Sequence, residues 1–78
     1  MGLAKIEREL AAQGKGCLGK AADDEPVFIL RAQDMLSADL VESWAIQANA
    51  LGCPWDKVRE AKELAQRMRE WPRRKNPD

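Results

Sequence analysis

The sequence predicts an all-α fold: a helical hairpin with one or two shorter helices packed on it, assembled as a dimer. Three observations carry this. Apolar residues recur at helical spacing over about 38–51 and again over about 54–71. Only the short stretch around Gly52-Cys53-Pro54 separates the two runs, so the two helices must be neighbours in space. The chain has 78 residues, a length at which one core needs help from a disulfide, a metal or self-association.

Taken in order, Gly2 to Gln13 reads as a short helix. Leu3, Ile6 and Leu10 fall on one stripe, and Lys5 and Glu9 stand at i, i+4 for an ion pair. A helix this short is barely stable alone, so it must dock or fray. Gly14 to Glu25 reads as a linker, because Gly14, Gly16 and Gly19 oppose helix. Residues 1–25 are thus a short N-terminal helix and a Gly-rich linker. Pro26 opens the apolar run Val27-Phe28-Ile29-Leu30, which is either a strand or a first helical turn. No second β-rich segment is present to pair with it, so a short helix from Pro26 to about Met35 is expected.

Ser37 fits an N-cap, and Asp39 in the first turn suits the helix dipole. Leu40, Val41, Trp44, Ala45, Ala48 and Leu51 share one arc of about 140°. Gly52 ends this helix, and Pro54 takes the first position of the next. There Val58, Ala61, Leu64, Ala65, Met68 and Trp71 form a matching arc, and Arg59–Glu63 and Glu63–Arg67 stand at pairing distance on the wet face. The arcs are expected to face each other, with Trp44 and Trp71 in the core. Pro72 stops the helix and closes a helical domain over 26–72. Residues 73–78, Arg73-Arg74-Lys75-Asn76-Pro77-Asp78, are a basic tail expected to be disordered.

Composition narrows the function. The chain has no His, no Tyr and no Thr. The usual general base near neutral pH is therefore missing, and His-dependent nucleophile pairs and zinc sites with it. No enzyme, cofactor or metal is expected. Cys17 and Cys53 lie far apart with no C-x-x-C spacing, and no secretory signal precedes them, which points to reduced, incidental thiols in a soluble cytosolic protein. No apolar run is long enough to span a membrane. The net charge is zero but polarised: +2 over 1–20, −5 over 21–53 and +3 over 54–78, a distribution that can steer a partner.

Several motifs invite a functional reading. Gly14-Lys15-Gly16-Cys17-Leu18-Gly19 matches G-x-G-x-x-G, but no strand precedes it and no βαβ unit follows, so a flexible linker is expected instead of a phosphate loop. Asp23-Asp24-Glu25 lacks the alternation of a cation loop and reads as a solvated acidic stretch. Ile46 lies opposite the apolar arc of its helix and Trp55 lies off the arc of the next, which makes both candidate partner contacts. Leu51-Gly52-Cys53-Pro54 also fits the turn of a helix-turn-helix. A small DNA-binding regulator is therefore the alternative function, with Lys57, Arg59, Arg73, Arg74 and Lys75 on nucleic acid. Asp56, Glu60 and Glu63 interrupt that basic surface, so nucleic acid is not the favoured partner.

The segment Glu25-Pro26-Val27-Phe28-Ile29-Leu30-Arg31-Ala32-Gln33-Asp34, followed by Trp44 and by Met68-Arg69-Glu70-Trp71-Pro72, resembles small uncharacterised proteins of bacteriophages and prophages, over about residues 17–78. The resemblance brings no catalytic residues. It implies a bacterial host cytosol and a non-enzymatic protein-interaction module that modulates or inhibits a host protein. Arg31, Gln33 and Asp34 are the polar members of its most specific segment and so the candidate partner-binding patch. Their plainer role is capping and ion pairing at the start of the helix at Ser37.

Overall fold

The computed structural model describes residues 1–77. Its elements are α1 (Ala4–Ala12), α2 (Gly16–Lys20), α3 (Ser37–Ala50) and α4 (Trp55–Arg69). Among the described residues the β pairing is confined to one isolated parallel bridge, between Asp34 and Lys75. The helices pack in two pairs, α1 on α2 and α3 on α4. The side chain of Met1 reaches the α3–α4 core and ties the first pair to the second.

The α1–α2 pair explains the glycine motif, and the expected flexible linker is corrected to an ordered turn and a short helix. Helix α1 ends in a Schellman motif: the Gly14 amide donates to the Ala11 carbonyl at 3.0 Å and the Lys15 amide to the Leu10 carbonyl at 2.8 Å. Gly14 supplies the left-handed conformation this needs, at φ +71°. Gly19 lets α2 fold back onto that turn, since a Cβ there would stand 2.8 Å from the Gly14 carbonyl carbon. No residue of α1 or α2 is buried. The expected Lys5–Glu9 pair is not formed; Glu7 pairs instead with the N-terminal ammonium.

Helices α3 and α4 form the expected hairpin. The turn is a second Schellman motif, with the Gly52 amide on the Asn49 carbonyl, the Cys53 amide on the Ala48 carbonyl, and Gly52 at φ +85°. Pro54 sits at the cap position of α4, one residue earlier than expected. The two helices run antiparallel: Arg69 at the end of α4 donates to Asp39 at 3.0 Å and Glu42 at 2.8 Å in the first turns of α3. Those two carboxylates, Asp39 first, raise the pKa of Arg69 above its ordinary value. Of the pairs expected along α4, Arg59–Glu63 is present at 3.9 Å, while Glu63–Arg67 is not formed.

The seam is made of small residues. Buried on α3 are Ser37, Ala38, Ala45 and Ala48; buried on α4 are Val58, Ala61, Ala65 and Met68. Alanine on both faces allows close approach of the helix axes. This corrects the expected core. The α3 arc is rotated so that Leu40, Trp44 and Leu51 lie outside it, and Trp71 is exposed as well.

Two further expectations are corrected between α2 and α3. Residues 26–35 do not form a helix. Two consecutive turns carry the chain into α3 instead, with the Asp34 amide on the Arg31 carbonyl and the Ser37 amide on the Asp34 carbonyl. The Ser37 hydroxyl does not cap α3; it is fully buried and donates to the Asp34 carbonyl at 2.8 Å. The basic tail is ordered through its middle, and Asp78 lies outside the described residues. Met35 donates to the Lys75 carbonyl at 2.8 Å, and Lys75 donates to the Gln33 carbonyl at 2.6 Å. Arg74 adds a bond to the Met35 carbonyl at 2.8 Å, while its Nε is enclosed without an acceptor. Arg74→Ala is therefore expected to cost about 1 kcal/mol, less than a fully satisfied charged bond would. Faster hydrogen exchange at the Met35 amide, with the α4 amides unchanged, is the measurement that checks it.

Candidate functional site

The site is built from apolar side chains that the fold leaves outside. Folded monomers of 8.8 kDa expose about 4,800 Å² by the usual size scaling. This chain exposes 6248 Å². Its radius of gyration, 13.1 Å, likewise exceeds the roughly 11.5 Å of a compact chain of this length. The surplus area is rich in large hydrophobes: Phe28 is 84% exposed, Leu51 88% and Ile29 67%. Against this, the largest fully buried side chains are Val58 and Ser37.

Two groups of these residues are separated by the fold. The first is Val27, Phe28 and Ile29, which precede the turns into α3 and stand clear of the hairpin core. The second lies on α3. Leu40, Trp44, Gln47 and Leu51 recur at i, i+4, i+7 and i+11, one helical stripe beside the one that α4 covers. An open groove of ≈ 390 Å³ runs along its C-terminal half, lined by Trp44, Gln47, Ala48, Leu51, Gly52 and Cys53. Cys53 is half-buried there as a free thiol, and Cys17 is free and exposed.

The expected site residues are scattered across the molecule. Gln33 and Asp34 are taken up by the fold: the Gln33 carbonyl accepts from Lys75, and the Asp34 carboxylate accepts the Leu36 amide at 2.8 Å. The Asp34 carboxylate thus closes the turn before α3, and Gln33 contributes its main-chain carbonyl to the bond with Lys75. Arg31 is exposed beside the Phe28 segment. Ile46 and Trp55 are exposed as expected, and Lys62 Nζ stands 5.6 Å from the centre of the Trp55 ring. Ile46 lies about 130° round α3 from the stripe of Leu40, Trp44 and Leu51.

The residues of the nucleic-acid alternative are divided in the same way. Lys57 and Arg59, two positions apart on a helix, point to opposite flanks of α4. Arg73 stacks on Trp71 with its guanidinium carbon 4.6 Å from the ring centre. Arg74 and Lys75 hold the 33–35 turn. A helix-turn-helix sets its helices at about 90–120°, whereas α4 doubles back along α3 as far as Asp39.

Sequence reasoning missed Leu40, Trp44 and Leu51 as surface residues. The signal that finds them is side-chain size: α3 carries two parallel stripes, one small and one large, and only the small one admits a close neighbour. No family model matches the chain, and no curated protein or solved structure matches it significantly. Among the described residues no helix is long and apolar enough to cross a membrane.

Proposed function

We propose that this chain is a non-enzymatic protein-interaction module that works as a homodimer. In the bacteriophage setting the resemblance implies, its partner is a host bacterial protein that it modulates or inhibits in the cytosol. The observation that carries this reading is the surplus of exposed large hydrophobes over a core built largely of alanine. Interfaces of standard size take about 800 Å² from each partner, and the surplus over the whole chain, about 1,400 Å², exceeds that.

The segment Val27-Phe28-Ile29 with Arg31 is the part we assign to the host partner. It pairs an apolar anchor with a cation, the kind of composition that concentrates binding energy. The test is capture of bacterial proteins on the immobilised chain, compared with Phe28→Ser/Arg31→Glu. A specific protein retained by the parent and weakened about tenfold or more in the variant supports the assignment. Equal retention by both removes the segment from the interface. Binding to random duplex DNA that falls steeply with salt would instead favour the DNA-binding regulator.

A further inference from the structure

We infer that the dimer forms through α3, with the stripe Leu40, Trp44, Gln47 and Leu51 packed against the same stripe of a second copy. This rests on the dimer reading above and adds where the seam is.

Three observations bear on it. First, α3 has two seams. Ala38, Val41, Ala45 and Ala48 recur at i, i+3, i+7 and i+10 and face α4. Leu40, Trp44, Gln47 and Leu51 have the same alternation of threes and fours, the spacing of an interhelical seam. The two stripes are centred about 110° apart at 100° per residue. A helix in a four-helix bundle meets neighbours on two sides in this way. Here α4 fills one side and the other is open.

Second, the open flank is free of charge. In a chain of which 33% is charged, residues 43–55 carry no charged side chain. The two acids of α3, Asp39 and Glu42, are both held by Arg69 on the other side of the hairpin. Interface cores are depleted in charge in this manner. A helix with apolar stripes on two flanks can meet a neighbour on each, and α4, which is polar on its outer face, belongs on the outside.

Third, the stripe is complementary to itself. An antiparallel two-fold crossing brings Leu40 against Leu51 of the second copy and Trp44 against its Gln47. Bulky side chains then meet at the ends, and the Trp44 rings meet the amides of Gln47 at the centre. Leu40, Trp44 and Leu51 are 49%, 47% and 88% exposed in the single chain, and one two-fold contact covers all three on both copies. A two-fold pairing uses one patch on both copies and closes, so it predicts a dimer and not a filament.

The experiment is sedimentation equilibrium of the full chain at tens of micromolar, with Trp44→Glu and Leu51→Glu as seam variants and Ile46→Glu as the control. Leu51 is 88% exposed in the single chain, so its replacement leaves the hairpin intact, and helicity by circular dichroism confirms that. The expected result is a parent of twice 8.8 kDa, association weakened about a hundredfold in both seam variants, and a dimeric Ile46→Glu. A monomeric parent overturns both the seam and the dimer reading. A dimeric parent whose assembly survives both seam variants, or is broken by Ile46→Glu alone, overturns the seam and leaves the dimer reading standing.

Discussion

Ala61→Phe is expected to unfold the hairpin in milder denaturant by about 3 kcal/mol, the upper part of the usual range for overpacking. Ala61 is fully buried in a cluster with Ala45, Ala48 and Val58. Its methyl group is what lets α4 lie close to α3 there. A phenyl ring finds little volume to enter, because Ala45 and Ala48 on α3 and the β-branched Val58 beside it have almost no rotamer freedom to move aside. The helices must separate, and separation strips the Arg69 bonds to Asp39 and Glu42 of their geometry. A chain of this size has only a few kcal/mol in total to lose. Urea titration followed at 222 nm checks the loss. Ala50→Phe, the same change at an exposed position of α3 outside both stripes, serves as the contrast and should shift the midpoint little. Equal shifts would mean that the small-residue seam is not what sets the helix spacing.

Gly19→Ala is expected to melt α1 and α2 while leaving α3 and α4 folded. Within a helix, Gly→Ala ordinarily stabilises by up to about 1 kcal/mol, so the sign is what makes this variant informative. The new methyl would lie 2.8 Å from the Gly14 carbonyl carbon and 3.2 Å from the Ala11 Cα, both main-chain atoms that cannot swing away. Neither helix buries a residue, so no core compensates for the clash. Helices of 9 and 5 residues would be lost against 14 and 15 retained, and mean ellipticity at 222 nm should fall by about a third. The unfolding midpoint of the hairpin should stay where it is. Unchanged or increased ellipticity would show that the turn can widen and that Gly19 is not required for close approach.

The hairpin was legible because its signals are local. Periodicity located α3 and α4 to within a residue or two, and Gly52 with Pro54 located the turn between them. Periodicity carries the facing arc too far round α3, since it treats Trp44 and Ala45 alike as apolar. Packing distinguishes them by size, and alanine takes the close approach. The region 26–35 was illegible for a different reason. Its Gln33 and Met35 main-chain groups pair with Lys75 and Arg74 across the molecule, and no window of neighbouring residues contains that information. Gly14 reads as a break in the helix, and its position after Gln13 also fits a helix stop. In the site, Ile46 and Trp55 could be read as exposed because they leave their arcs; Leu40 and Leu51 could not, because they sit on the edge of one.

The pairing of Lys75 with Gln33 and Met35 also bears on the order in which the molecule assembles. These groups lie about 40 positions apart in the chain, a long loop to close from the unfolded state. Once α3 and α4 have folded against each other, the hairpin has already brought both ends together and little loop remains to close. The pairing is therefore expected to form after the hairpin and to open before it, which hydrogen exchange at the Met35 amide compared with the α4 amides would show. Because it fixes the turns that follow Val27-Phe28-Ile29, its opening would also loosen the base of the segment proposed for the host partner.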